Sequence, residues 1–164
     1  EWQSVADSLA DFLLFARLRG GELFLVPALG PEGRIVTRGV QQPRIAITTP
    51  PAGRPRDALW PFIHELIYPL AAETVQEYLA PVRIRELGET AITSRAALRA
   101  GALLVDRVLP ADGAAYRRFF LEGAGHEPPA GPEEVDAAFT RAFPVPPELE
   151  AGLQEIVRQA LAGI

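Results

Sequence analysis

Leu59-Trp60-Pro61-Phe62-Ile63-His64-Glu65-Leu66-Ile67-Tyr68-Pro69-Leu70 is the stretch around which the rest of this 164-residue chain is read. It is apolar on nearly every side, with one imidazole and one carboxyl group set among the hydrocarbon. A helix that is apolar all round is a buried helix. The run therefore predicts a central helix from about Leu59 through Tyr78. Pro61 suits a first turn, and Asp57 is placed to cap that helix. Pro69 lacks a backbone donor and crowds the carbonyl four residues back, so a kink or break is expected just after Tyr68. Pro81 ends the segment.

Toward the start of the chain, three short β-type segments precede this helix: Glu22–Ala28, Arg34–Arg38 and Arg44–Thr49. The last alternates Ile45, Ile47 and Thr49 against Arg44, Ala46 and Thr48, the period of a half-buried strand. Gly30-Pro31-Glu32-Gly33 marks a turn, and the short connections predict an antiparallel meander. Before the strands, Trp2, Val5, Leu9, Phe12, Leu13, Ala16 and Leu18 recur at helical spacing, which predicts an amphipathic helix over 2–19, stopped by Gly20-Gly21. Past the central helix, Val82–Leu87 reads as a short strand or extended connector. Thr90–Val108 reads as a helix with small residues along one side. Further helices are expected over Asp112–Leu121, from Pro132 to about Phe143, and over Pro147–Leu161, with a Gly- and Pro-rich loop at Gly123–Pro132. Strands clustered between helices make this an α+β chain, a small antiparallel meander packed with several helices. Its length fits one domain over residues 1–164.

The net charge of −5 and the lack of any basic block argue against nucleic acid as a partner. No segment is apolar for long enough to cross a membrane as a helix. All 16 basic residues are Arg, and there is no Cys, so disulfides, thiolate metal sites and a cysteine nucleophile are excluded. The chain opens at Glu1 without an initiator Met, which is read as trimming of the ends or removal of a leader; export is the weak expectation.

The chemistry concentrates at His64-Glu65-Leu66-Ile67-Tyr68. In His-Glu-x-x-His, histidines four apart share one helix face and reach one zinc ion, while the Glu takes a proton from the metal-bound water. Here the first His and the Glu are present, and Tyr68 stands at the second histidine position. A β segment, this helix with its following proline, and then an Arg/Ala-rich helix resemble an uncharacterised bacterial branch of the zincin-like metallopeptidases, over about residues 22–121. The resemblance implies a zincin-like fold, His64 as first metal ligand, Glu65 as general base and Tyr68 in the second ligand seat. It implies a third ligand, a Glu some twenty positions on; Glu89 is the better candidate and Glu86 the lesser, whereas Glu73 and Glu77 ride on the motif helix itself. A phenol is a poor zinc donor near neutral pH because it must ionise to bind well. His126, in the Gly-rich loop, is the remaining imidazole.

Each of these residues has a plainer role. His64 reads as a core histidine hydrogen-bonded to a carbonyl or to Glu. Glu65, if buried, needs a partner, and Arg95 and Arg99 on the next helix are the natural ones. Tyr68, Trp60 and Phe62 read as packing. Tyr116, Phe119 and Phe120 share a helix face and read as core, with Arg117 and Arg118 exposed. The function expected is that of a non-catalytic, degenerate zincin-like domain, a pseudoenzyme, binding a peptide or protein partner. No cofactor is expected, with zinc only if the site is active. The alternatives are an active zinc hydrolase with an unusual ligand set and a structural subunit of a larger assembly.

Overall fold

The structure, a computed structural model, describes residues 5, 7–18, 21–27, 29, 33–37 and 43–162, with the side chains of 35–37 left aside. It is mostly helical with a small sheet, an α+β class. In chain order the elements are α1 (Ala10–Phe15), β1 (Glu22–Leu25), β2 (Arg34–Thr37), β3 (Arg44–Ile47), α2 (Leu59–Tyr78), α3 (Pro81–Leu87), α4 (Glu89–Val108), α5 (Gly113–Gly123), α6 (Pro132–Ala142) and α7 (Pro147–Leu161). Short 3₁₀ turns at Pro55–Ala58 and Pro110–Asp112 lead into α2 and α5. The expected first helix is met by α1 and by the buried Val5, Leu9 and Phe12 at 4,3 spacing; residues 1–4, 6 and 19–20 lie outside the described set, as do Ala28, Gly30-Pro31-Glu32 and Arg38.

The sheet departs from the expected meander. Its order is β1-β3-β2, with β1 parallel to β3 and β2 antiparallel to β3. β3 enters between its two predecessors and becomes the central strand. Ile45, Ala46 and Ile47 are all buried, so neither face of β3 is the solvent face that its alternation suggested. Gly33, just before β2, has φ 69°, a left-handed conformation that glycine takes without strain. A side chain at Gly33 would stand 3.1 Å from the Ala46 carbonyl oxygen and 3.3 Å from Cγ of Glu65.

α2 runs unbroken from Leu59 to Tyr78, so the expected break after Tyr68 is absent. Pro69 lies on the exposed side, where water can satisfy the carbonyl it leaves without a helical donor. Pro81 does not merely end α2. It sits in the first turn of α3, where its missing N–H costs nothing, and so Val82–Leu87 is helical and not extended. Asp57 makes no side-chain cap; it pairs with Arg54 at 2.7 Å.

α2 packs along α4, and α7 packs against both. The small residues Ala96, Ala97, Ala100, Gly101 and Ala102 of α4 are all buried and permit this close approach. At Gly101 a methyl group would overlap the hydroxyl of Tyr116, so only glycine lets α5 lie this close. Tyr116 donates that hydroxyl to the Leu98 carbonyl at 3.2 Å. Arg117, expected to be exposed, is 8% exposed and ties three helices together. Its guanidinium donates to Asp106 of α4 at 2.6 and 2.8 Å and to Asp136 of α6 at 2.8 Å. Those partners hold its pKa above the usual value despite the opposing cost of burial.

Candidate functional site

α2 places His64 and Glu65 in the interior, at 1% and 7% exposure. Nδ1 of His64 lies 3.1 Å from Oε1 of Glu65. An ionised carboxylate only accepts, so with Glu65 in that form Nδ1–H is the donor. Nε2 is buried without a hydrogen-bond partner. Two rings flank the imidazole, each with its centroid 5.8 Å away: Tyr68, one turn along α2, and Phe120 of α5. The Nε1–H of Trp60, one turn before His64, is likewise buried without a hydrogen-bond acceptor. Tyr116 stands edge-on to Trp60 at 6.0 Å and packs on Phe120 at 4.9 Å. Trp60 and His64 on α2 thus face Tyr116 and Phe120 on α5 as two i,i+4 pairs across one helix interface.

The other expected residues are elsewhere. Glu89 is exposed at the start of α4 and accepts from Gln76 Nε2 at 3.1 Å. Gln76 is twelve residues beyond His64 on α2, roughly 18 Å along the axis. Glu86 pairs with Arg83 on the surface at 3.1 Å. Glu73, Glu77 and His126 are exposed. Arg99, expected to neutralise Glu65, instead makes a forked pair with Glu150 of α7 at 2.9 and 3.2 Å and donates to the Thr140 hydroxyl. Arg95 is half-buried and makes no hydrogen bond to Glu65. The carboxylate is answered by its own neighbour in sequence, which no pairing rule between helices would have singled out.

A catalytic zinc needs three protein ligands and an open position. Nε2 of His64 supplies one. Among the described residues no three His, Asp or Glu side chains converge on a point, and Glu65 is turned to Nδ1 of His64, not toward a shared centre with Nε2. The residues present do not fit a zinc ion, and no chemical step is derived through one.

A second feature lies at the sheet edge. Among the described residues β1 pairs only with β3. The N–H groups of Glu22 and Val26 donate to Pro43 and Ile47. By the alternation of a parallel ladder, the N–H and C=O of Leu23 and Leu25 point away from the sheet. All four residues of β1 are exposed, among them Leu23, Phe24 and Leu25. Beside this edge, between α1, β3 and α2, is an apolar pocket of about 320 Å³. Leu13, Leu18, Leu23, Ile45, Phe62 and Leu66 line it. Phe62 and Leu66 are the i,i+4 face of α2 turned away from His64, so this pocket is separate from the His64–Glu65 pair. The sequence marked Glu22–Ala28 as strand; that β1 is an edge among the described residues depended on β3 inserting between β1 and β2. No protein-family model matches this chain, and neither a curated protein nor a solved structure does.

Proposed function

We propose that this chain is a non-catalytic domain, a degenerate relative of the zincin-like metallopeptidases, that works by holding an extended peptide of a partner protein on β1. The observation that carries the binding half is the unblunted edge. Soluble proteins usually protect an edge strand with charge, proline, a bulge or a covering element. β1 instead presents Leu23, Phe24 and Leu25, with only Glu22 charged, and Glu22 is paired with Arg44 at 2.5 Å. Outward N–H and C=O groups at Leu23 and Leu25 ask for a backbone partner, which an added strand supplies. The neighbouring pocket would take an apolar side chain from every second residue of that strand. The non-catalytic half is supported by the burial of His64 and Glu65 and by the lack, among the described residues, of three converging His, Asp or Glu side chains.

Selection of peptides from a displayed random library on the full chain tests this. Enriched peptides are expected to alternate apolar residues. Leu25→Pro removes one outward donor while sparing the inward bonds of Glu22 and Val26, and proline is tolerated where its N–H would face solvent. It should weaken the selected peptides about tenfold, the worth of one well-made hydrogen bond. Enrichment of no sequence pattern, or affinity indifferent to both Leu25→Pro and Leu23→Glu, would reject the proposal.

A further inference from the structure

The backbone phase of β1 fixes how its edge can be paired. Its ladder to β3 runs from Glu22 N–H on the Pro43 carbonyl at 3.1 Å to Val26 N–H on the Ile47 carbonyl at 2.8 Å. Parallel pairing uses every second residue, so positions 22, 24 and 26 face β3. Leu23 and Leu25 turn their backbone groups outward, evenly placed on either side of Phe24. A second β1 laid antiparallel about a two-fold axis at Phe24 meets all of them. Leu23 of each copy then stands opposite Leu25 of the other, and each such pair exchanges both N–H···O bonds, four bonds in all.

We infer that a chain without its peptide covers β1 with β1 of a second copy in this register, so that self-pairing and peptide binding exclude one another. This rests on the reading of β1 as a strand-accepting edge. Charge and side chains suit the register. Leu23, Phe24 and Leu25 carry no charge, and Glu22 is neutralised by its own Arg44 at 2.5 Å. Glu22 falls opposite Val26 of the second copy, not opposite another carboxylate, which would repel it. Phe24 meets Phe24 across the axis, in the closer, non-hydrogen-bonded kind of pair. Leu25, 56% exposed in the single chain, comes to lie beside Leu23 on the sheet face where the apolar pocket opens. A four-residue strand on each side falls well short of the roughly 20–30 residues a side of a lasting complex. The pairing is therefore reversible, and a peptide can displace it.

Sedimentation equilibrium of the full chain, up to about 1 mM, tests this. The wild type should dimerise reversibly, and the capped peptide of residues 21–27 should return it to monomer, bound one per chain. A two-fold interface counts each substitution twice. Leu25→Pro should thus weaken the dimer about 100-fold, where it weakens one bound peptide about tenfold. Phe24→Glu and Phe24→Lys should each be monomeric, whereas their equimolar mixture should pair at least tenfold more tightly than either alone, because only this register sets residue 24 against itself. A chain that binds the peptide yet stays monomeric overturns self-pairing and leaves the edge reading standing. A dimer indifferent to the peptide, or no rescue on mixing the residue-24 variants, overturns this interface. A chain that neither dimerises nor binds any strand overturns both.

Discussion

Trp60→Ala should destabilise the protein by about 4 kcal/mol, near the upper part of the range for deleting a buried indole. Trp60 is 1% exposed and packs edge-on against Tyr116, so its removal opens a void beside both α5 and His64. Rigid neighbours on both helices, locked by Arg117 and by the Gly101–Tyr116 approach, leave little freedom to collapse into that void. Trp60→Phe should behave very differently. It keeps most of the ring and discards an indole N–H that has no acceptor in the interior. The cost of lost volume and the relief of a buried unpaired donor oppose one another, and the net change should stay within about 1 kcal/mol. Urea unfolding of the two variants checks this. Equal losses for both would mean that the indole N–H is well satisfied and matters as much as the ring.

Alkaline sensitivity should be the second large effect, and it should be traceable to one hydroxyl. Burial pushes the Tyr116 phenol far above its ordinary value, with the nearby Arg117 charge pulling weakly the other way. Its proton is the one donated to the Leu98 carbonyl. In the unfolded chain the phenol titrates near pH 10. Below that pH both states keep the proton and the contribution is complete. Above it the unfolded chain releases the proton and the folded chain does not, so stability falls by roughly 1.4 kcal/mol per pH unit. The chain has no Lys and no Cys, which leaves this window to its three tyrosines. The Tm of the wild type should therefore drop steeply between about pH 10 and pH 12, and Tyr116→Phe should flatten that drop at the expense of one hydrogen bond. An identical alkaline slope in Tyr116→Phe would place the sensitivity at Tyr68 or Tyr78.

Much of the helical framework could be read along the chain, because its punctuation is local. Pro147–Leu161 is met residue for residue, and Glu89–Val108 and Pro132–Ala142 within a residue or so. The interior placement of His64 and Glu65 followed from a helix apolar on all sides. Three things were not local. The parallel pairing of β1 with β3 depends on β3 inserting between its predecessors, which four-residue strands joined by short links do not encode. Pro81 carries the same sequence signal whether it ends one helix or opens the next. The partner of Glu65 is its own neighbour His64, although α4, which carries Arg95 and Arg99, packs along α2; Arg99 is drawn instead to Glu150 of α7, a choice that depends on how the last helix docks.

His64 Nδ1 lies 3.1 Å from Oε1 of Glu65 and its Nε2 is buried without a hydrogen-bond partner, in a domain proposed to bind without catalysing. Long-range proton–nitrogen correlation spectra of the imidazole report that state directly. A protonated Nδ1, an unprotonated Nε2, and a His64 signal unmoved by equimolar zinc are the expected result. A His64 carrying its proton on Nε2, or a His64 resonance that shifts stoichiometrically with zinc, would contradict it.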